Sequence, residues 1–185
     1  HLIANGTDVS RSQWNGSYRN TQFEGTLVYD GEVYDHIRFN IRGQFSTYVT
    51  GKNKWRLRFN RGHYLQARDN FGKKYKSRWK DMKVNGGTSP WASPNRGMAG
   101  IDECVSYRLM ELAGVPSSRT SYFHFRVVDG ANESSLTDQY DGDLWGLYFS
   151  VEVPDGRFLD DRGLPDGNVY KLESPLLQDN QGADE

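Results

Sequence analysis

The sequence predicts an α+β fold, in which an antiparallel or mixed sheet carries one principal helix packed across it. Three observations support this class. Short segments alternate apolar and polar residues, as strands do when one face is buried. One segment instead carries apolar residues at helical spacing. Aromatic residues, which strands favour, make up 14% of the chain, and 185 residues are enough for a sizeable core.

The strands are predicted from this alternation and from the turn residues between them. Asp30-Gly31 is a strong hairpin signal, because both residue types suit the backbone angles of a tight turn. Asn85-Gly86-Gly87 closes a later strand in a similar way. The predicted strands span residues 23–30, 32–42, 54–59, 79–84, 121–128, 144–153 and 168–173.

The principal helix is predicted between residues 98 and 113. Gly114 and Pro116 provide its stop signal. Cys104, the single cysteine, is expected to be a small buried hydrophobic residue. The apolar residues recur three or four positions apart and form one stripe, which we expect to pack on the sheet: Met98, Ile101, Val105, Leu109 and Leu112.

One domain is expected between residues 23 and 173. Residues 1–22 are polar and poor in aliphatic side chains, which predicts a flexible N-terminal arm or an irregular lead-in. Residues 174–185 have no strong pattern and are expected to fray. No apolar run is long enough to span a bilayer, so a membrane partner is not expected.

Charge is distributed unevenly along the chain, although the total is only −1. Residues 38–83 hold 14 Lys and Arg against two acids, a net of +12, whereas residues 129–185 hold 14 acids against three basic residues, a net of −11. Such asymmetry indicates either a site for an anionic ligand or two lobes that attract each other. A solvated basic face without a ligand is an equally open interpretation.

Basic residues at the centre of this region alternate with apolar ones on two neighbouring predicted strands. The first strand places Arg38 and Arg42 on one face, and the second places Lys54, Arg56 and Arg58 on one face. The loop that joins them is rich in Gly, Ser and Thr. If the strands pair antiparallel, the cationic side chains and this loop form a site suited to phosphate.

The sequence gives less support to a metal site or to nucleophilic catalysis. The four histidines are scattered, so zinc is not expected. Asp138, Asp141 and Asp143 cluster in one acidic loop, and further Asp residues follow between residues 155 and 166. Because neither loop has the spacing of a calcium loop, solvated acidic loops are favoured over a metal site. No Ser-His-Asp arrangement or nucleophile elbow is apparent.

Several short motifs follow one another in a characteristic order. They are an Arg-Gly at the end of the strand at 32–42, then Gly-Lys-x-x-Trp-Arg-Leu-Arg-Phe, Glu-Leu-Ala-Gly-Val-Pro, Trp-Gly-Leu-Tyr-x-x-x-Glu and Asp-Gly-Asn-Val-Tyr-Lys. Each motif alone is a weak pattern, and the serial order carries the signal. Over residues 37–172 this order resembles the spore-coat CotH kinase-like family, which is similar to an atypical branch of the protein kinase fold.

The resemblance implies a nucleotide-binding role for the basic strands. Arg42 and Gly43 match the family's Arg-Gly, and Ser46 lies in the following loop, where nucleotide phosphates are expected. Arg58 stands where the family has a phosphate-pairing Lys, and Lys54 on the same strand face is the candidate to replace it. Further residues implied in nucleotide binding are Arg56, Glu103 or Glu111 on the helix, Glu152 and Lys171.

The resemblance also implies ATP and Mg²⁺ as cofactors and a secreted or surface protein as the phosphate acceptor. The family's catalytic Asp motifs follow its Asp-Gly-Asn-x-Tyr-Lys element and do not occur in this sequence. We therefore expect a kinase N-lobe-like, ATP-binding portion that is inactive alone and uses Mg²⁺ only together with a C-terminal half. The expected location is extracellular, at a cell or spore surface.

A second class of function stays open beside the nucleotide-binding one. The basic rows are also suited to a non-catalytic extracellular module that recognises an acidic protein or a polyanionic glycan. Nucleic acid is not an expected partner, because the near-neutral total charge does not suit a chain that binds phosphate backbones. Salt dependence separates the two classes, since polyanion binding weakens steeply as salt rises.

Overall fold

A computed structural model describes residues 1–13, 16–43, 52–88, 100–130, 143–174 and 177–180, the last two ranges without side chains from residue 171 onward. In these ranges, seven strands close into a barrel in the order β1-β2-β3-β4-β5-β7-β6. The strands are β1 (Leu2–Ala4), β2 (Phe23–Tyr29), β3 (Glu32–Arg42), β4 (Lys54–Arg58), β5 (Asp81–Asn85), β6 (Thr120–Val128) and β7 (Leu144–Glu152).

The closed barrel corrects the predicted kinase N-lobe-like sheet with one principal helix across it, which is wrong. Closure depends on β1, a strand of three residues. On one side β1 pairs antiparallel with β2, and on the other it pairs parallel with β6, where Leu2 lies opposite Val127. Because both of its edges are used, the sheet keeps no free edge.

Residues 1–22 contain regular structure where the sequence predicts an arm. Besides β1, they hold helix α1 (Gly6–Ser12), which begins at an Asn5 cap whose side chain accepts a hydrogen bond from the Thr7 amide. Leu2 and Val9 are almost completely buried in the core. The terminal amino group donates a 2.7 Å hydrogen bond to the carbonyl of Val28. This segment therefore belongs to the barrel.

The hairpin predicted at Asp30-Gly31 is confirmed. Asp30 and Gly31 have φ angles of 50° and 78°, which suit a two-residue turn whose twist matches that of the flanking strands. In the barrel, the inward positions of β3 and β4 alternate with outward positions, as the sequence pattern predicts. The alternation is interrupted only at Asp35 and His36, which are both exposed. The inward side chains on these two strands, each at most 1% exposed, are Tyr34, Ile37, Phe39, Ile41, Trp55 and Leu57.

Aromatic rings fill the middle of the barrel. The Trp55 ring lies edge-on to Phe125 with 5.3 Å between the ring centroids, and 4.9 Å from the Trp145 ring. Removing one such side chain from water stabilises the fold by about 1.5–3 kcal/mol. The aromatic content of the sequence is thus used in the barrel core.

Helix α2 (Ile101–Leu112) lies on the outside of the barrel and packs through a different face from the one predicted. Cys104 contacts the cluster of Phe149 and Val151, and Tyr107 packs beside it. Gly100, just before the helix, lies so close to Phe149 on β7 that a Cβ at this position would be 2.3 Å from the Phe149 ring. The predicted packing of the apolar stripe is wrong, since its described members are 47–67% exposed: Ile101, Val105, Leu109 and Leu112.

Two elements follow the barrel. Helix α3 (Gly156–Asp161) begins at Asp155, whose side chain accepts a 3.2 Å hydrogen bond from the Phe158 amide, and it buries the Phe158 ring. Strands β8 (Tyr170–Ser174) and β9 (Leu177–Asn180) form a separate antiparallel hairpin. The fraying of residues 174–185 stays a prediction. In the parts of the chain described, no helix has the length and apolar character needed to cross a membrane.

Candidate anion-binding site

The basic residues of β3 and β4 lie together on the outer surface of the barrel. The register places Arg42 opposite Lys54 and Arg38 opposite Arg58. Directly opposed residues of an antiparallel pair point to the same side of the sheet. Their apolar neighbours, such as Ile41 and Trp55, point inward. The two strands therefore carry one continuous row of cations, as the alternation predicts.

Asp81 divides this row into two parts. It lies on β5 opposite Arg58 and is only 5% exposed. Its carboxylate accepts two hydrogen bonds from Arg56, at 3.0 and 2.9 Å, and one from Arg58 at 3.1 Å. These are charge-assisted bonds, and the pair with Arg56 is bidentate. Arg56 and Arg58 therefore already have an anionic partner within the protein.

The other part of the row faces the carboxylate of Glu103 on helix α2. Arg42 and Lys54 both interact electrostatically with Glu103, and the Asn85 side chain donates a 2.9 Å hydrogen bond to its Oε2 atom. The sequence implied either Glu103 or Glu111 as the partner of the strand cations. The structure brings Glu103 to them. We call Arg42, Lys54 and Glu103 the cation corner.

Burial is the largest influence on the pKa of each group in the cation corner. It raises the pKa of Glu103, and the neighbouring charges of Lys54 and Arg42 only partly offset this. Burial lowers the pKa of Lys54, and the charge of Arg42 lowers it further. Burial also lowers the pKa of Arg42, against the attraction of Glu103. Charged groups held partly out of water interact more strongly with a ligand than exposed ones do.

The cation corner holds two cations, Arg42 and Lys54, against one carboxylate, Glu103. Lys83 and Asp102 also act electrostatically on Glu103 and add one charge of each sign. A bound anion would relieve the repulsion between the cations, so the chemistry of these groups fits phosphate oxygens.

Glu152, a further residue implied by the resemblance, lies on the opposite side of the sheet. It is paired in register with Met82, whose side chain is in the core, and it is 3% exposed. Its Oε2 atom accepts hydrogen bonds from Arg162 at 2.7 Å and from the Arg119 amide at 3.1 Å. The Arg162 guanidinium also donates to the Ser117 carbonyl at 2.6 Å. Glu152 therefore fastens α3 to the barrel.

The remaining implied residues are placed as follows. Gly43 ends β3 with a φ of 94°, a backbone conformation that favours glycine. Glu111 forms ion pairs with Arg108 and Arg119 and lies roughly 12 Å along the helix from Glu103. Ser46 lies outside the described residues. Lys171 belongs to β8, and its side chain is likewise outside them.

Sequence reasoning missed two residues of this surface, Asp81 and Asn85. In the sequence, Asp81 is one of only two acids in the basic region 38–83, and Asn85 belongs to a predicted turn. A signal for both existed, because alternation along β5 places Asp81, Lys83 and Asn85 on the face opposite to Met82 and Val84. An acid at an alternate position of a basic sheet face predicts an ion pair.

The acidic loops have structural roles where they are described. Asp155 caps α3, and Asp161 accepts a 2.9 Å hydrogen bond from the Ser77 amide and pairs closely with Arg119. Asp138 and Asp141 lie outside the described ranges. Within those ranges, no group of three or more His, Cys, Asp or Glu is arranged to hold a metal ion.

Comparison with known families identifies the chain at the level of its family. The profile of the CotH kinase protein family matches residues 39–185, which is most of the chain. The chain therefore belongs to the CotH kinase protein family. This confirms the resemblance drawn from the order of motifs. A search among curated proteins finds no match. The family's link to the spore coat suggests a surface location.

Proposed function

We propose that this chain is the ATP-binding portion of a CotH-like atypical protein kinase that phosphorylates secreted or surface proteins. The observation that carries the proposal is the cation corner, in which a helix carboxylate, Glu103, faces Arg42 and Lys54 on adjacent strands. Family membership supports the same function. The proposal includes a location at the cell or spore surface.

Each group of the cation corner has a defined role in this proposal. Phosphoryl transfer depends mainly on holding the phosphates in position and on compensating their charge. Lys54 and Arg42 bind phosphate oxygens, Lys54 as a compact charge and Arg42 as a planar fork with several donors. Glu103 orients the Lys54 ammonium group, and Asn85 holds Glu103 through its 2.9 Å hydrogen bond. Mg²⁺, when bound with ATP, supplies further compensation of phosphate charge.

Binding, rather than turnover, is the property proposed for residues 1–185. The Asp motifs expected to accept the substrate proton do not occur in this sequence. The proposal is therefore tested by ligand binding, with ATP in the presence and absence of Mg²⁺. A readout of binding does not require the rest of a kinase active site.

The decisive experiment is a thermal-shift titration with Mg-ATP. Ligand that binds only the folded state raises the melting temperature with concentration. We expect Lys54→Met and Arg42→Met to abolish this rise. Arg61→Met is the matched control, because Arg61 is exposed and lies away from the cation corner. The proposal fails if wild type shows no rise or if both corner variants keep it.

Arg58→Ala separates two assignments of the phosphate-binding cation. The family motif assigns it to Arg58, and the contacts of Arg58 with Asp81 favour Lys54 instead. If Lys54 holds the phosphate, Arg58→Ala keeps most of the thermal shift. A complete loss in Arg58→Ala, with the shift retained in Lys54→Met, would return the role to Arg58.

A non-catalytic binding module is the second candidate function. It is favoured by the three exposed lysines between residues 73 and 76, which lie outside the cation corner. In that case wild type shows no thermal shift with ATP but binds an acidic protein or a polyanionic glycan. Such binding is expected to weaken steeply as salt rises, whereas a partly buried phosphate site is screened less.

A further inference from the structure

Helix α2 leaves an apolar face without cover among the described residues. Ile101 and Val105 are 50% and 47% exposed, and Leu109 and Leu112 extend the same stripe. A row of large apolar side chains on one helix face is costly to leave in water. Because the helix packs on the barrel through Cys104 and Tyr107, this stripe is not required to hold the helix in place.

Two members of the stripe, Ile101 and Val105, line one wall of a groove of about 780 Å³. The opposite wall is the segment 69–76, in which the Asp69 carboxylate accepts 2.9 Å hydrogen bonds from the amides of Phe71 and Lys73. This turn holds the Phe71 ring at its tip, where it is 96% exposed. Apolar groups therefore line both sides of the groove.

Lysines line the same groove. Lys73, Lys74 and Lys76 are all exposed, and within the described ranges none of them belongs to a salt bridge. Two carboxylates line the groove as well. Asp69 accepts the two loop hydrogen bonds, and Glu111 pairs with Arg108 and Arg119. With these two arginines, the lining holds five cations against two carboxylates, so the groove carries a net positive charge.

We propose that this groove binds a segment of a partner protein that carries acidic side chains next to apolar ones. The apolar residues of the segment cover Ile101, Val105 and Phe71, and its carboxylates meet the lysines. The positive charge of the groove favours a partner with acidic side chains. The exposed apolar area favours a protein segment over a purely polar polyanion.

The groove is distinct from the cation corner. Successive helix residues are about 100° apart, so Glu103 lies roughly 200° around the helix from both Ile101 and Val105. A docked segment and a bound nucleotide would therefore contact different faces of α2. The inference does not depend on the proposed kinase function and is tested without nucleotide.

The test measures fluorescence anisotropy of three labelled synthetic peptides of equal length. The first contains Leu and Glu, the second replaces Glu by Lys, and the third replaces Leu by Ser. Only the Leu-Glu peptide is expected to bind. Reversing two lysine charges, in Lys74→Glu/Lys76→Glu, is expected to weaken its binding at least about tenfold, and Val105→Ser at least about fivefold.

Matched controls are exposed residues that do not line the groove. Arg61→Glu reverses an exposed charge, and Val33→Ser removes an apolar side chain that is 54% exposed. Neither should change binding of the Leu-Glu peptide. All substituted side chains are at the surface, so we expect the variants to fold, and their melting temperatures check this.

Three results would overturn the proposal. The first is no binding of the Leu-Glu peptide to wild type. The second is equal binding of the Leu-free peptide together with no effect of Val105→Ser, which would indicate a general polyanion surface. The third is a dimer in sedimentation that Val105→Ser dissociates, because the occupant of the groove would then be a second copy of the chain.

Discussion

Two carboxylates of this barrel, Glu152 and Glu103, lie beside arginines but in different electrostatic surroundings. Glu152 is 3% exposed, and both of its oxygens accept hydrogen bonds from Arg162, at 2.7 and 3.3 Å. Glu103 accepts from a neutral amide, Asn85, while Arg42 and Lys54 act on it electrostatically. The first site is matched in charge and geometry, whereas the second holds two cations against one carboxylate.

The difference indicates how a structural ion pair is told from a binding site. A matched pair has no capacity left for a ligand, and removing one partner leaves the other buried and uncompensated. In a cluster with more cations than carboxylates, burial disfavours the charged forms, and it raises the pKa of Glu103 and lowers the pKa of Lys54. Under the proposed function, a bound anion would offset part of this cost.

The largest effect on stability is expected for Glu152→Ala. It leaves the Arg162 guanidinium, which is 10% exposed, without its carboxylate. We expect the free energy of unfolding to fall by about 3–5 kcal/mol, measured by urea denaturation. Glu24→Ala, at an exposed position of β2, is the control and should change it by less than about 0.5 kcal/mol. A loss below about 1 kcal/mol for Glu152→Ala would contradict the matched-pair interpretation.

An intermediate effect is expected for Asp81→Asn. Its partners Arg56 and Arg58 are 37% and 29% exposed, so water can replace part of the lost interaction. We expect unfolding to become easier by about 1–2 kcal/mol in the same measurement. Asp30→Asn, which weakens the more exposed pair with Arg68, should cost less than about 0.5 kcal/mol. Equal losses in the two variants would show that the burial of Asp81 has no energetic role.

A smaller effect is expected for Glu103→Gln. The amide keeps an acceptor for Asn85 and removes a charge that burial disfavours, but it also removes an attraction to Lys54. Because these effects oppose each other, we expect a change below about 1 kcal/mol. A loss as large as that of Glu152→Ala would show that both carboxylates are structural.

The smallest effect is expected in how the stability difference between wild type and Glu103→Gln changes with pH. The pKa of Glu103 is raised by burial above its ordinary value of 4.5, so the folded state binds the proton more tightly than the unfolded state. Its contribution to stability is fully present below the ordinary pKa and is lost as pH rises through the raised one. Wild type should therefore gain stability relative to Glu103→Gln when pH is lowered from about 7 to about 4. Urea midpoints at several pH values measure this, and a gain in the opposite direction would contradict the raised pKa.

The local structure of the barrel could be predicted from the sequence where the pattern is periodic. Alternation identified β3 and β4 with their inward and outward faces, and Asp30-Gly31 identified the hairpin. Both signals are local, since they depend on neighbouring side chains and on the φ angles of two residues. The same pattern also predicted the row of cations on these strands, including Arg42 and Lys54.

Closure and helix packing could not be predicted because they depend on distant partners. Leu2–Ala4 is too short for a recognisable period, yet its pairing with two strands closes the barrel. The stripe from Ile101 to Leu112 has the spacing of a buried helix face, but the barrel contacts Cys104 and Tyr107 instead. Periodicity identifies an apolar face without identifying what covers it. Glu103 could be chosen over Glu111 only once that contact was known.

Substituting the glycine before helix α2 would disturb the arrangement of charges without altering any charged residue. Gly100 has a φ of 73°, and a methyl group there would overlap the Phe149 ring. Alanine at this position would push the start of the helix outward, and Glu103, one turn later, would retreat from Arg42 and Lys54. A relative of this protein that has lost glycine here would therefore be suspected of having lost the proposed anion binding, even with every ionisable residue intact.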